Sequence, residues 1–278
     1  MSKKQVIIES ALELFSKQGF EATSVQQITD HAGISKGAFY LSFKSKDELI
    51  VGLIDHFMMQ FTSDIDWVVK NHQNNSTLLF QFYKTAFQSF QQHADFAKIF
   101  IKEQSQTLNQ DLITKLRYYD KLINVITLEM LHRLYGDGIM TTKYDLITCI
   151  KGFFDVHSHL FIFFDLPLDL EKLAASLAEK TDLLARHSRE SFMTEELFQS
   201  FSVEPMEEDV TKEQLIELLE QKAEEIAEPI VKESLELLKL QLIEPVYSPA
   251  IVKGLMGNLR EHPHCKWVVY LLGRHVGV

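Results

Sequence analysis

Between Lys3 and Lys17 the apolar residues Val6, Ile7, Ala11, Leu14 and Phe15 recur three and four positions apart, the period of a helix that buries one face. Gly19 ends this run where a left-handed cap residue belongs. Ser24 and Gln27 have the spacing of a capping box, so Thr23 or Ser24 opens a second, short helix with Val25 and Ile28 as its buried edge. Ala32-Gly33-Ile34 breaks it. Ser35 then caps a third helix, Lys36 to Ser42, in which Ala38 and Phe39 or Tyr40 reach the core while Lys36 and Gly37 stay at the exposed start. Two short helices joined by a glycine-containing turn form a helix-turn-helix pattern.

Ser45-Lys46-Asp47-Glu48 is a second capping-box sequence and opens a longer helix to about Lys70, through Leu49, Leu53, Phe57, Met58, Phe61 and Ile65. Further helical runs are predicted at about 77–93, 95–105, 110–135, 143–164 and 169–190, separated by Asn/Ser, Gly-Asp-Gly and Leu-Pro breakers. The 143–164 run is apolar nearly all round, which suits a central helix or one packed on a second subunit. Past residue 190 the character changes. Ile216, Leu219, Ala223, Ile226 and Ile230 step 3, 4, 3, 4, and beyond Pro229 the residues Val231, Leu235, Leu238 and Leu242 step 4, 3, 4. That is the spacing of a coiled-coil seam, and equally of two amphipathic helices packing on their own chain. The closing WVVYLL is a buried helix or a strand, which periodicity does not separate in so short a run.

Six Pro and eleven Gly in 278 residues agree with a mostly helical chain, and 46% hydrophobic content excludes disorder. Cys149 and Cys265 form neither a disulfide framework nor a ligand pair, which points to a reducing compartment. The start lacks the unbroken apolar stretch of a signal peptide, and the apolar run Leu146 to Leu166 carries Lys151, Asp155, His157, His159 and Asp165, too many polar groups for a membrane span. A soluble cytoplasmic protein without a membrane partner is expected. The net charge of −11 would argue against nucleic acid, but its distribution does not. Residues 1–50 hold six lysines and six acidic residues, whereas residues 190–240 hold four basic and 15 acidic ones.

The stretch from Phe20 to Leu49, FEATSVQQITDHAGISKGAFYLSFKSKDEL, closely resembles the DNA-binding signature of the TetR family of bacterial transcriptional regulators. The match rests on Thr23-Ser24, Ile28, Ala32 to Gly37, Phe39-Tyr40, Phe43 and Ser45 to Leu49, and on Ala11, Leu14, Phe15 and Gly19-Phe20 before them. It covers the first fifth of the chain. Thr29 departs from the family's usual small residue, and Leu41-Ser42 stand where a basic or aromatic residue followed by His or Tyr is common, which shifts affinity toward Lys36, Lys44 and Lys46. The resemblance implies an all-α protein with a three-helix DNA-binding domain over 1–48. It also implies a helical effector-binding and dimerisation domain over 49–190, whose last two helices, about 143–164 and 169–190, form a four-helix bundle across a homodimer. It leaves 191–278, an acidic helical extension, unexplained.

The residue chemistry agrees with that implication. A recognition helix brings its N-terminal residues to base edges in the major groove, and Gly37 and Ala38 are small enough for close approach. Tyr40 can hydrogen-bond a phosphate while its ring packs on the unit, and Lys46 at a helix start can add its charge and free backbone N–H groups. Thr23, Ser24, Gln26 and Gln27 can hold the other strand, and Ser35, Lys36 and Lys44 complete the candidate DNA-binding set. So few lysines per unit require a dimer on palindromic operator DNA, with steep salt dependence.

In the family the domain over 49–190 binds a small apolar or amphipathic molecule that shifts the linker helix. The aromatic abundance there suggests a lipophilic effector, with Phe61, Phe87, Phe100, Tyr119, Phe153 and His157 as candidate lining. His157 and His159 diverge on a helix and cannot share a metal, while Asp155 can meet His159 or Lys151. His262, His264, Cys265 and His275 suit zinc only if folded together, and no metal or other cofactor is expected. No phosphate loop, nucleophile elbow or zinc-hydrolase spacing is present, so an enzyme is not expected. The leading expectation is a repressor released from its operator by the effector. The alternative is an adaptor that recruits a protein partner through 191–278.

Overall fold

The computed structural model describes residues 3–92, 110–164, 168–201 and 210–276. Every regular element among them is helical: α1 (Lys3–Gln18), α2 (Val25–Ala32), α3 (Lys36–Ser42), α4 (Lys46–Asn71), α5 (Asn75–Gln92), α6 (Gln110–Tyr135), α7 (Lys143–Phe163), α8 (Leu170–His187), α9 (Glu195–Phe201), α10 (Lys212–Glu225), α11 (Pro229–Ile243), α12 (Pro249–Arg260) and α13 (Lys266–Val276), with short 3₁₀ turns at Gly136–Ile139 and Pro263–Cys265. The expected helix at 95–105 lies outside the described residues. These elements divide into two compact units, one within 7–205, the other within 206–278 together with residues 3–6. The boundary expected near residue 190 falls inside the first unit.

In the first unit, α1, α2, α3 and the start of α4 close around Ile7, Ile8, Ala11, Phe15, Phe20, Ile28, Phe39, Phe43, Leu49 and Leu53. Ile7, Ala11, Phe15, Ile28, Phe39, Leu49 and Leu53 are where the spacing places them, whereas Ile8 is buried and Val6 and Leu14 are only half-buried; together the core residues form a small head. α4 leaves the head and packs along α5 and α6, while α5 also packs along α8. Arg133 of α6 secures the α4–α5 connection. Its guanidinium donates to the carbonyls of Val69 (2.6 Å) and His72 (2.5 Å) and to Asn75 Oδ1 (2.9 Å), so the last carbonyls of α4 gain a cationic partner. Between α5 and α8 the buried hydroxyls of Tyr83 and Thr181 bond at 2.7 Å.

The segment after α8 stays with this unit because Asp145 in the first turn of α7 holds it. The carboxylate accepts from the Ser191 hydroxyl (2.7 Å) and from the N–H groups of Phe192 (3.3 Å) and Met193 (3.2 Å). The Phe198 ring of α9 then stacks on Tyr144 at 4.7 Å.

The second unit is a bundle. Thr211 and Gln214 form a reciprocal capping box at the start of α10, and Pro229 and Pro249 occupy the first turns of α11 and α12, where a missing N–H costs nothing. Leu219 and Ala223 of α10, Ile226 at its C-cap and Val231, Leu235, Leu238 and Leu242 of α11 are buried, whereas Ile216, also assigned to the seam, is half-buried and Leu215 beside it takes the inward position. The heptad-like spacing therefore reports packing within the chain, with α10 along α11. Ile230, which the spacing assigned to the seam, is 66% exposed because the helices break before it. The WVVYLL segment is the helix α13, with Val268 to Leu272 buried.

Candidate nucleic-acid interface and effector region

Three caps fix the reading elements of the head. The Gln27 N–H donates to Ser24 Oγ (3.2 Å) and the Ser24 N–H to Gln27 Oε1 (2.8 Å), the box that their spacing predicts. Gly33, at φ +65°, takes the left-handed turn, and the Ile34 N–H closes it onto the Thr29 carbonyl (3.0 Å). Ser35 Oγ accepts from the Ala38 N–H (3.2 Å) and so starts α3. With Phe39 fully buried and Phe43 next to it in the core, α3 turns Lys36, Gly37, Tyr40 and Leu41 to the outside. Between α1 and α2, Glu13 accepts from Lys17 (2.5 Å) and meets His31 Nε2 (2.9 Å); hydrogen bonds from Lys17 and then His31 hold its carboxyl below the usual range.

Ser24, Gln26, Gln27, Ser35, Lys36, Gly37, Tyr40 and Lys44 are exposed, and Ala38 is half-buried. Gln26 bonds Asp30 at 2.5 Å, and the Tyr40 ring leans edge-on against Phe39 at 5.3 Å. Two expected contacts point inward. Thr23 is 1% exposed; its hydroxyl donates to the Gly19 carbonyl (2.7 Å) and accepts from Gln18 (3.0 Å), which closes the α1–α2 turn. The Lys46 ammonium donates to the carbonyls of Phe20 (2.8 Å) and Thr23 (3.1 Å) and sits 3.9 Å above the Phe20 ring. Both side chains build the head. The capping box predicted at Ser45 is also displaced by one residue: Ser45 Oγ accepts from the Glu48 N–H (3.0 Å), but the Glu48 carboxylate accepts from the N–H of Lys44 (2.6 Å).

Two glycines separate what the fold needs from what it does not. A Cβ at Gly52 would come within 2.8 Å of Phe43 Cε1, so this glycine makes room for the head's core. At Gly37 the backbone φ is not positive and a Cβ would meet only Ser35 Oγ at 3.7 Å. Glycine inside a helix costs about 0.5–1 kcal/mol relative to alanine, and nothing within the head requires it at this position. A bare backbone there favours close approach from outside.

Of the candidate effector residues, Phe61 of α4, Phe87 of α5 and His157 of α7 enter one aromatic cluster. Phe154 lies 6.5 Å from Phe61 and 5.2 Å from Phe87, Phe90 is 5.3 Å from Phe61, and the His157 ring is 6.3 Å from Phe87. Phe153 is half-buried, and its carbonyl accepts from His157 Nδ1 (2.8 Å). Tyr119 belongs instead to a polar tie between α6 and α4: its hydroxyl donates to Asp55 Oδ1 (2.7 Å), which Lys115 also reaches at 2.9 Å. Phe100 lies outside the described residues. Lys151 pairs with Asp120 of α6 (2.6 Å) and not with Asp155, which faces His159 at 3.9 Å. In the second unit His262 stands 3.7 Å from Glu228, and no group of three or more His, Cys, Asp or Glu converges on a metal position among the described residues.

Sequence reasoning missed the outward placement of Leu41, which is 90% exposed, and the Asp55 tie. The signal for Leu41 was available in the buried pair Phe39 and Phe43, which places position 41 outward. For Asp55 it was an acid set among the apolar positions of α4.

A rigid pair of short helices, capped on both sides of a left-handed glycine and turning a small-residue face outward, is the reading head of a helix-turn-helix DNA-binding protein. Residues 7–53 match the family described as bacterial regulatory proteins, tetR family, so the head is a TetR-type N-terminal helix-turn-helix domain. It is similar to the HTH-type transcriptional regulator YerO of Bacillus subtilis, 28% identical over 271 residues that span 92% of this chain and 89% of YerO. Among solved structures, the fatty acid degradation regulator FadR of Bacillus halodurans superposes with a TM-score of 0.55 at 21% identity, over 68% of this chain and 97% of FadR. FadR of Bacillus subtilis, solved in complex with stearoyl-CoA, does so with a TM-score of 0.51 at 22% identity, over 67% of this chain and 99% of that one. The likeness to YerO, over 92% of this chain, thus extends into the C-terminal extension, whereas each FadR structure covers about two thirds of the chain.

Proposed function

We propose that the protein is a homodimeric repressor that occupies a palindromic operator in the cytoplasm and leaves it when a lipophilic effector with a long acyl chain binds. The outward face of α3 carries this reading: Lys36, Gly37 and Tyr40 stand clear of a head that is otherwise fixed by caps and core. An operator-bound dimer excludes other proteins from the same DNA, which is repression by occupancy.

A dimer is supported by α7 and α8. Val156 and Leu183 are exposed apolar residues on these helices, and a Cβ at Gly152, on the exposed stripe with Val156, would meet nothing within 4 Å. Such a stripe suits close helix approach by a second copy. An acyl-chain effector is supported by the aromatic cluster around Phe154 and by the stearoyl-CoA bound in the B. subtilis FadR structure. α4 joins the two ends, since it holds Leu49 and Leu53 in the head and Phe57 and Phe61 in the cluster. A ligand that separates Phe61 from Phe90 or Phe154 displaces α4, and it releases DNA to the extent that it prefers the displaced state.

The test is selection of duplexes from a random pool with the full chain, followed by affinity measurements against salt and against stearoyl-CoA, stearate and free coenzyme A. A palindrome bound by two chains, weakening steeply with salt and released by the acyl compounds but not by coenzyme A, is expected. Binding as a monomer, or indifference to every acyl compound, refutes the respective part. A second reading, recruitment of a protein partner by the C-terminal unit, draws on its exposed Ile230, Leu240, Ile243, Val246 and Ile251. Deleting residues 206–278 separates the two: a repressor keeps operator recognition and effector response, whereas an adaptor loses a specific partner with DNA binding intact.

A further inference from the structure

Leu41 is 90% exposed, the most exposed of the large apolar side chains among the described residues. A lone exposed leucine is commonplace on a protein surface, so exposure alone would mean little. Its position gives it meaning. Leu41 follows Gly37 by four residues and therefore shares the outward face of α3 with it, and Gly37 has no side chain to cover it. The backbone that carries Leu41 is fixed by the Ser35 cap, by buried Phe39 and by the Phe43 N–H, which closes the helix onto the Phe39 carbonyl at 2.9 Å. With seven residues α3 is about 10 Å long, less than the roughly 12 Å width of the major groove, so both of its ends come within reach of base edges.

A leucine side chain has no donor and no acceptor. The base edges of the major groove present one apolar group, the C5 methyl of thymine. We propose that Leu41 is a specificity-determining residue that reads a thymine methyl in each half-site. This rests on α3 being the element that enters the groove. The thin backbone at Gly37 lets α3 sit close enough for a short aliphatic chain to make that contact, and Lys36 and Tyr40 on the same helix supply the polar contacts that Leu41 does not. The preference is for the methyl group and not for the base pair: Leu41 distinguishes thymine from uracil, which pair identically with adenine.

The experiment uses the full chain and an operator obtained by selection, in which each thymine is replaced in turn by deoxyuridine. Burial of one methyl group is worth about fourfold in affinity. One thymine per half-site should therefore show a loss of about fourfold, and replacement in both half-sites about fifteenfold, by the same arithmetic. Leu41→Ala should bind the thymine operator about as weakly as the original chain binds the uracil one, and should bind both duplexes equally. Because Leu41 is exposed and alanine is a good helix former, the thermal midpoint of Leu41→Ala should not fall, which separates lost contact from lost fold. A cytosine at the sensitive position should regain affinity on conversion to 5-methylcytosine with the original chain and not with Leu41→Ala.

The assignment is overturned if no thymine methyl affects affinity, or if Leu41→Ala still tells thymine from uracil. Equal losses by Leu41→Ala on both duplexes, with the original chain indifferent to the methyl, would assign Leu41 to the sugar edge and refute the thymine reading. A selection that yields no preferred duplex removes the operator reading itself, and is recognised by that failure before any base is altered.

Discussion

The head within residues 7–53 and the bundle within 212–276 are both small helical assemblies closed by aliphatic and aromatic side chains, and they differ in what remains outside. In the bundle Val231, Leu235, Leu238 and Leu242 turn inward, the exposed Ile230, Leu240, Ile243, Val246 and Ile251 fall off that spacing or near helix ends, and charged side chains pair with their own chain, as in Lys222–Glu225 (2.9 Å) and Lys239–Glu220 (3.3 Å). In the head the core is equally closed, but α3 keeps a glycine that the fold does not need and a leucine that the fold does not bury. Periodicity thus tells which side of a helix is buried. The function of a small helical unit is better read from the residues that its own packing leaves unexplained.

The strongest way to break the comparison is to open the two cores. Phe39→Ala removes a fully buried ring and should cost about 3–5 kcal/mol, enough to unfold the head and abolish operator binding in a mobility-shift assay. Leu235→Ala should cost the bundle about 2–5 kcal/mol while the head still binds DNA. Cys265 reports this second opening. Burial pushes its thiol up to about 11, so alkylation near pH 8 should be slow in the native chain and faster in Leu235→Ala. Loss of DNA affinity in Leu235→Ala would mean that the two units are not independent.

The glycine pair gives smaller effects of opposite sign. Gly52→Ala presses on Phe43 and should destabilise the head by about 1–3 kcal/mol, seen as a lower thermal midpoint. Gly37→Ala should stabilise α3 by about 0.5–1 kcal/mol and weaken DNA binding, a combination that ordinary packing would not produce. The smallest effect is Glu13. Its carboxyl is held below the usual 4.5, so the α1–α2 tie is present above that value and is lost as pH falls through the lowered value. An NMR titration should find the depressed midpoint, and Lys17→Ala should raise it more than His31→Ala does.

Local sequence logic recovered much of the head. Ser24 with Gln27, Ser35, Gly19 at φ +84° and Gly33 at φ +65° all act where spacing placed them, because caps and turns depend on neighbours a few residues away. The inward turns of Thr23 and Lys46 were not legible, since the Lys46 ammonium finds the Phe20 carbonyl 26 residues earlier. For the same reason Lys151 took Asp120 of another helix over its own i+4 neighbour. The helix Pro249–Arg260 went unforeseen because Gly254 and Gly257 weaken its intrinsic propensity; buried Val252, Met256 and Leu259 hold it in place.

Lys46 is the first residue of α4 and is also bound to the turn that precedes α2. The start of the long helix and the start of the first reading helix are therefore clasped together by the Lys46 ammonium. Under the proposed effector response, a push along α4 would turn the head as one piece and leave its surface unchanged. The message that would then reach DNA is one of aim: the same face, pointed elsewhere.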